Sequence, residues 1–494
     1  MKQIILILAA AFCLASCNDW LDVRPDTEQK DYDQFSTVSG FFDALTGCYM
    51  TMADDNAYGQ RLTMTNIESL ANLWAVSDDM TRLADKELAA HDYTKDNARD
   101  AIAAMYDKLF NVIAQANMII RYADEQGDAF PEESMRKVVQ GEAYAIRAYC
   151  QLDVLRLFGQ MPKGSQTAVS LPYSFTTSIY EMPAYYAFDD YVELLKKDIA
   201  SALELLKDND PLFEYTFTEL NGSVNVADDH LLYRQSRLNY YAVKALEARM
   251  LLYLGDKTGA YAAAKAVIDA KDKNGNPVMK MSGANDVANR RMAYPNECLF
   301  YISKFDLLDN AKKILIGGEK DSYSNSHLAI SKAMYDELYV DIPVDYRGNR
   351  YSSCWGDSKT SMGNNPYKTV LKYWWDDEAV NNKAVYFQII PMLRMSEVYL
   401  IAIETTTSLA EANALFKTYM EEHAVSPILV NDFASLEEVQ AYVPNEYRRE
   451  FYAEGHMFYT YKRLGAASIR WYKDPAGEKV YVLPLPETEY NPNL

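Results

Sequence analysis

Cysteine is scarce, with 6 in 494 residues, and CxxC is absent, so the sequence carries neither a zinc ribbon nor a dithiol redox centre. Histidine is scarcer still at 5, and the five stand isolated from one another. HExxH, GxSxG and GxxxxGK[ST] are all missing, which removes the common zinc-protease, serine-hydrolase and nucleotide-phosphate signatures. Basic charge is short as well: 49 Lys and Arg against 70 Asp and Glu leave a net charge of −21. A surface of that sign repels phosphate backbones and anionic headgroups, which excludes nucleic acid and a polybasic grip on lipid. Beyond the first sixteen residues no apolar run is long enough to span a membrane.

Those sixteen residues form a leader. Lys2 gives a positive start, and Ile4 to Leu14 form an apolar core of secretory length. The run ends in Leu14-Ala15-Ser16-Cys17, the pattern of a bacterial lipobox, which predicts acylation of Cys17 and a new N-terminus there. Two or more acyl chains hold a protein stably at a membrane, at ~0.8 kcal/mol per buried CH₂. The remaining cysteines, Cys48, Cys150, Cys298 and Cys354, lie too far apart in sequence for a metal motif. They read mostly as buried apolar residues, with their disulfide state left open.

Helical periodicity dominates the rest. It runs through 97–124, behind a candidate cap at Asn97, and through 132–158, which stops at Gly159. Leu238, Tyr241, Ala242, Ala245 and Leu246 form a one-sided stripe, and Met395, Val398, Tyr399, Ala402 and Ile403 repeat it. Residues 245–270 read as a helix, a Gly255-Asp256 break and a second helix with a small-residue face, the layout of a tetratricopeptide pair. Residues 392–420 repeat this with Thr405-Thr406-Thr407 at the turn. Residues 97–124 with 132–158, and 188–207 with 237–254, make further candidate pairs. The predicted fold is mostly α: a tetratricopeptide-like helix-pair superhelix over about 97–270 and 392–465, in one body from residue 17 to 494. A large irregular, loop-rich region from about 271 to 390 interrupts it. That region has Asn274-Gly275, a β-like run at Cys298–Ile302 and three of the 6 tryptophans, and it is the expected ligand-binding part.

The blocks in this order resemble the SusD/RagB family of Bacteroidetes outer-membrane lipoproteins. Asp19-Trp20-Leu21-Asp22 follows the lipid cysteine, and 142–162 (EAYAIRAYCQLDVLRLFGQMP) is similar to the family's arginine-containing helix and its Phe-Gly-x-x-Pro turn. Asn296–Phe300 is similar to an N-P-E-x-I-F strand, and Asp345-Tyr346-Arg347 to D-x-R. Leu393–Leu400 resembles L-R-x-x-E-V-x-L, and Arg448–His456 resembles R-R-x-E-F-x-x-E-G-H, closed by Lys462–Gly465. Leu483–Pro486 and Asn491-Pro492-Asn493 match the family's P-x-P and N-P-N. Met457 stands in place of a usual arginine, and Tyr459-Thr460 in place of Phe/Trp-Asp. The resemblance implies four tetratricopeptide-type pairs, a lipid anchor at the outer-membrane surface, and a TonB-dependent β-barrel partner that this protein caps. It also implies an oligosaccharide ligand, with peptide in some relatives, and no enzymatic activity.

The acidic and basic residues of 448–456 resemble a catalytic cluster. Tyr447, Phe451, Phe458 and Tyr461, however, fall at helical offsets, so the segment reads as one amphipathic helix whose Glu450, Glu454, Arg448 and Arg449 make structural pairs. Arg394 and Glu397, three apart, read likewise. A glycosidase needs only two carboxylates ~5–10 Å apart, and 70 acidic residues guarantee such pairs, so their presence discriminates nothing. No loop has EF-hand spacing; no cofactor is predicted, and a surface calcium site is left open. The positive signal is aromatic, with 39 Tyr, 18 Phe and 6 Trp. Sugar C–H faces stack on such rings while hydroxyls bond to amide, carboxylate and guanidinium groups. The candidate ligand-binding residues are Trp74 with Asn72, Asp78 and Arg82, and Tyr346, Tyr351, Trp355, Trp374 and Trp375. The expected role is capture of oligosaccharide for a transporter. Peptide cargo, a carboxylate hydrolase and a ligand-free scaffold are the alternatives.

Overall fold

A computed structural model describes residues 26–489, apart from 77–79, 179–180, 316–326, 341–344, 349–353, 363–364, 374–387 and 424–430. Cys17, Asp78, Tyr351, Trp374, Trp375 and the Asn491–Asn493 motif lie outside the described residues.

Helices α1 (Asp26–Gln34), α2 (Val38–Met52), α3 (Asn66–Leu70) and α4 (Leu83–Ala89) lead to the long helices α5 (Asp96–Glu125) and α6 (Glu133–Phe158). On α5 the buried residues Ala98, Ile102, Met105, Leu109, Val112, Ala116 and Ile120 keep the three-to-four spacing of a one-sided helix. Asn97 is not its cap: it lies inside the helix, and Glu87 Oε2 from α4 accepts from Ala98 N at 2.9 Å instead. Helix α6 is buried on almost every side beyond Ala143, flanked by α5 and by α7 (Phe188–Leu206). Its interior charges therefore need partners. Arg147 makes two 2.7 Å bonds to Asp198 of α7, and Lys462 Nζ donates to Leu157 O (3.2 Å) and Gly159 O (2.7 Å) where α6 ends. Burial holds that lysine well below the ordinary amine range.

The short α8 (Phe217–Leu220) precedes α9 (Tyr240–Leu254) and α10 (Lys257–Ile268), which form a hairpin about Gly255. Its φ of 84° is the left-handed helix stop that glycine adopts without strain. Helix α7, expected to pair with the 237–254 helix, packs mainly on α6 and only secondarily on α9. Between residues 271 and 390 the described elements are short: α11 (Gly283–Ala288), α12 (Leu307–Leu315) and α13 (Lys332–Leu338). Three two-stranded antiparallel sheets occur among the described residues: β1 (Leu171–Pro172) with β2 (Tyr185–Tyr186), β3 (Cys298–Ser303) with β6 (Ile389–Arg394), and the hairpin β4 (Trp355–Met362) with β5 (Asn365–Val370).

Helices α14 (Met395–Thr405) and α15 (Leu409–Glu421) make the second clear pair, with Ser408 Oγ capping α15 through Glu411 N; α14 also packs on α10. The last elements are α16 (Leu436–Glu450), α17 (Met457–Leu464) and α18 (Glu478–Tyr481). The 447–461 segment is thus two helices and not the expected one. Ala453 (φ 63°) and Gly455 (φ 79°) are left-handed between them. Backbone crowds that turn: a Cβ on Gly455 would lie 2.4 Å from Leu62 O. Tyr447, Phe451, Phe458 and Tyr461 are buried all the same, because the turn keeps both helices on the core. Cys48, Cys150 and Cys298 are buried and Cys354 half-buried, all as free thiols. No described helix is long and apolar enough to cross a membrane.

Candidate functional site

The 451–456 turn sits on an ion network that the sequence motifs assemble. Arg394, at the end of β6, donates to Glu297 Oε1 (2.7 Å) and to both Glu454 oxygens (2.9 Å each), and it also reaches Glu450. Arg347 bonds Asp345 and Glu450 at 2.5 Å and lies 2.7 Å from Glu446. Arg449 closes on Glu446 at 2.8 Å, and Lys372 pairs with Glu454. Burial alone would push Glu446 and Glu450 upward, but their positive neighbours win. Arg347, Arg449 and His423 bring Glu446 down to about 2, and Arg394, His423 and Arg347 hold Glu450 well below the carboxylate range. Arg394 does not pair with Glu397 as its spacing predicts. It belongs to a strand end, and Glu397 takes Arg249 at 2.6 and 2.7 Å.

His423, Glu446 and Glu450 place three donor atoms within 4.8 Å of one another. Guanidinium groups already occupy both carboxylates, so a cation there would face Arg347, Arg394 and Arg449 together; the donor set does not suit a metal. His456 stacks on Phe451 (4.2 Å, 20°) and is kept well below the ordinary imidazole range by burial and by Arg249 and Arg156. The 448–456 cluster holds the fold together and offers no free acid or base.

From this base an aromatic ladder rises outward. Trp74 meets Tyr452 edge-on (5.3 Å), Tyr452 meets Trp355 (5.0 Å), and Trp355 meets Tyr335 of α13 (5.4 Å). Polar edges fix each rung. Trp74 Nε1 donates to Met64 O (2.9 Å), Trp355 Nε1 to Tyr339 Oη (3.1 Å), and Tyr335 Oη to Gly348 O (3.0 Å); Tyr452 Oη donates to Leu73 O. Trp74 and Tyr452 are buried, whereas Trp355 and Tyr335 are partly exposed. Two stretches of candidate residues far apart in sequence thus meet in one stack, held by Ala75 N donating to Ala329 O at 2.9 Å.

Several candidates take other roles. Trp74 is a core residue with 2% exposure and has no face for a ligand. Asn72 is also buried; it adopts φ 54° and donates to Ala89 O at 3.1 Å. Arg82 bonds Asp85 (2.7 Å), a buried carboxylate that also accepts from Asn66 and Ser69. Tyr346 points inward and stacks on His423 (5.7 Å, 22°). Sequence reasoning passed over Tyr335, whose signal was its helical spacing to Tyr339. A cavity of about 30 Å³ under Trp355 is walled by Met292, Tyr294, Cys354, Lys372 and Tyr452, room for a water or two.

Comparison with known proteins agrees with this architecture. A family model described as starch-binding and associating with the outer membrane matches residues 19–218, and one described as the SusD family matches 339–492. A SusD-like protein P2 of Formosa agariphila is 26% identical over 161 residues, a match spanning 33% of this chain and 30% of that relative's length. A SusD superfamily protein of Bacteroides thetaiotaomicron superposes with a TM-score of 0.68 at 20% identity, over 92% of this chain and 98% of its own. The surface glycan-binding protein A of Bacteroides uniformis gives 0.67 at 15%, over 93% and 99%. A putative sugar binding protein of Bacteroides vulgatus gives 0.65 at 21%, over 92% and 97%.

Proposed function

The chain belongs to the SusD/RagB family, and from that premise we propose that it is an outer-membrane lipoprotein that holds oligosaccharide on its Trp355 face and passes it to a TonB-dependent β-barrel. It is a binding protein and not an enzyme. Acylation of Cys17 anchors it, with the helical body outside the bilayer.

The observation that carries this reading is the ladder. Its buried half, Trp74 and Tyr452, is pinned by backbone hydrogen bonds, and its outer half, Trp355 and Tyr335, leaves ring surface uncovered. Rings held this firmly lose little freedom when a pyranose stacks on them. Each stack is worth about 1 kcal/mol beyond area burial. A few stacks with hydrogen bonds reach roughly −4 to −8 kcal/mol, a millimolar to micromolar dissociation constant, weak enough for hand-over to a transporter. Arg82, partly exposed and paired with Asp85, is proposed as a further polar contact. Asp78, Tyr351, Trp374 and Trp375 belong to segments that adjoin it in sequence and are proposed as further contacts. Glycan is favoured over peptide because the outer rungs offer two partly exposed flat rings.

Calorimetry on the detergent-solubilised lipoprotein tests this, with maltoheptaose, xylohexaose, laminarihexaose and a mixed peptide pool as probes. At least one glycan should bind, and Trp355→Ala should weaken it by about five-fold or more, with circular dichroism showing that the variant is folded at the assay temperature. Binding of peptides alone, or a glycan affinity indifferent to Trp355, defeats the reading.

A further inference from the structure

Residues 466–477 form a closed loop that presents Trp471. Ala476 N donates to Ala467 O (2.9 Å), and within the loop Tyr472 N donates to Ile469 O (3.1 Å). Arg470 N donates to Tyr461 Oη (3.1 Å), which ties the loop to α17. Trp471 is the third residue of the inner turn and has φ 67°. A left-handed third position is where turns take glycine, and a bulky L-residue is strained there. The indole is only partly buried, with part of its surface against the core and the remainder exposed. Such outliers concentrate at functional sites.

The surroundings are polar in a specific way. Glu337 Oε2 accepts from Trp471 Nε1 (2.9 Å) and from Arg470 Nη2 (2.9 Å). Arg470 Nε also donates to Oε2 (3.2 Å), which leaves Glu337 Oε1 and Arg470 Nη1 without a hydrogen bond among the described residues, on side chains 48% and 40% exposed. The guanidinium groups of Arg448, buried, and of Arg470 stand over the ring, 6.0 and 5.6 Å from its centre. The result is a ring with a fixed edge, a carboxylate oxygen able to accept and a guanidinium nitrogen able to donate. Neighbouring hydroxyls of a pyranose whose C–H face lies on an aromatic plane require those three groups.

We propose that Trp471, Arg470 and Glu337 form a second saccharide-binding platform, built on the same helix α13 that carries Tyr335 but with its own aromatic ring. The indole stacks on one sugar ring while Glu337 Oε1 accepts from one hydroxyl and Arg470 Nη1 donates to its neighbour. The choice of ligand class rests on the carbohydrate reading above; the location does not. A preformed turn explains why tryptophan is tolerated where glycine fits best: the strain is the consequence of presenting the ring.

The test is fluorine NMR on the lipoprotein labelled with 5-fluorotryptophan, each resonance assigned by a single Trp→Phe variant, titrated with maltoheptaose, xylohexaose and laminarihexaose. The Trp471 resonance should move with at least one glycan, and Trp471→Gly should weaken that glycan about five-fold without lowering the melting temperature. If Trp355 moves and Trp471 does not, the second platform is wrong and the first stands. Movement of Trp471 alone retains the second platform and removes the first, and movement of neither ends both. A Trp471→Gly protein that melts lower and binds unchanged shows the tryptophan to be structural, which also overturns the proposal.

Discussion

Glu68 offers a quantitative check on the interior beneath the ladder. Its side chain is 1% exposed; Oε1 accepts from Gly455 N at 2.6 Å, and Oε2 has no partner among the described residues. Burial raises its carboxyl from 4.5 to about 8, against the lowering effect of the turn amides at 455 and 453. The folded protein therefore keeps this proton at pH 7, whereas the unfolded chain gives it up above about 4.5. A raised acid makes stability greatest below pH 4.5 and removes it as pH rises toward 8. At ~1.4 kcal/mol per unit over roughly 2.5 units, the loss attributable to Glu68 at pH 7 is about 3 kcal/mol. Glu68→Gln keeps the acceptor for Gly455 and removes the titration. Urea unfolding of both proteins at pH 5, 6, 7 and 8 isolates the effect, since all other groups cancel in the difference. The variant should be close to the parent at pH 5 and more stable by about 3 kcal/mol at pH 7. A gap that stays constant across the four pH values refutes the reasoning, because then no buried proton is linked to folding.

Three further outcomes are expected. Arg394→Met leaves Glu297, Glu450 and Glu454 short of a counter-ion in the interior and should cost about 3–5 kcal/mol in urea unfolding; a loss under 1 kcal/mol would show that water reaches the network. Ala453→Gly relaxes a left-handed φ of 63° and should stabilise by about 1 kcal/mol, read as a higher urea midpoint, with a lower midpoint counting against strain there. Cys17→Ser should move the protein out of the membrane fraction on ultracentrifugation, and retention would argue against a lipid anchor.

Most of the helices were legible because a one-sided apolar stripe has only one regular solution, and Gly159 and Gly255 mark their ends in plain chemistry. The break between α16 and α17 was not legible. Its aromatics keep helical spacing across the gap, and an alanine at φ 63° carries no local signal. The C-terminal motif was readable as structural, but its partners were not: Arg394 ignores Glu397 three residues away and joins groups as far off in sequence as Glu297. Trp74 misled for a related reason. Asn72, Asp78 and Arg82 make its neighbourhood look wet, while the ring that covers it, Tyr452, comes from the other end of the chain. Trp471 was passed over because a lone tryptophan in a polar loop has no periodicity; the clue available was its place between Arg470 and Lys473 in a turn-rich stretch.

Because Arg347 and Arg394 draw their counter-ions chiefly from residues 446–454, the centre of the molecule reaches neutrality only when its final segment arrives. A polypeptide truncated ahead of that segment would leave Arg347 with Asp345 alone, Arg394 with Glu297 alone and Lys372 without its carboxylate. The interior charge balance is thus completed from the C-terminal end of the chain, last in the order of synthesis.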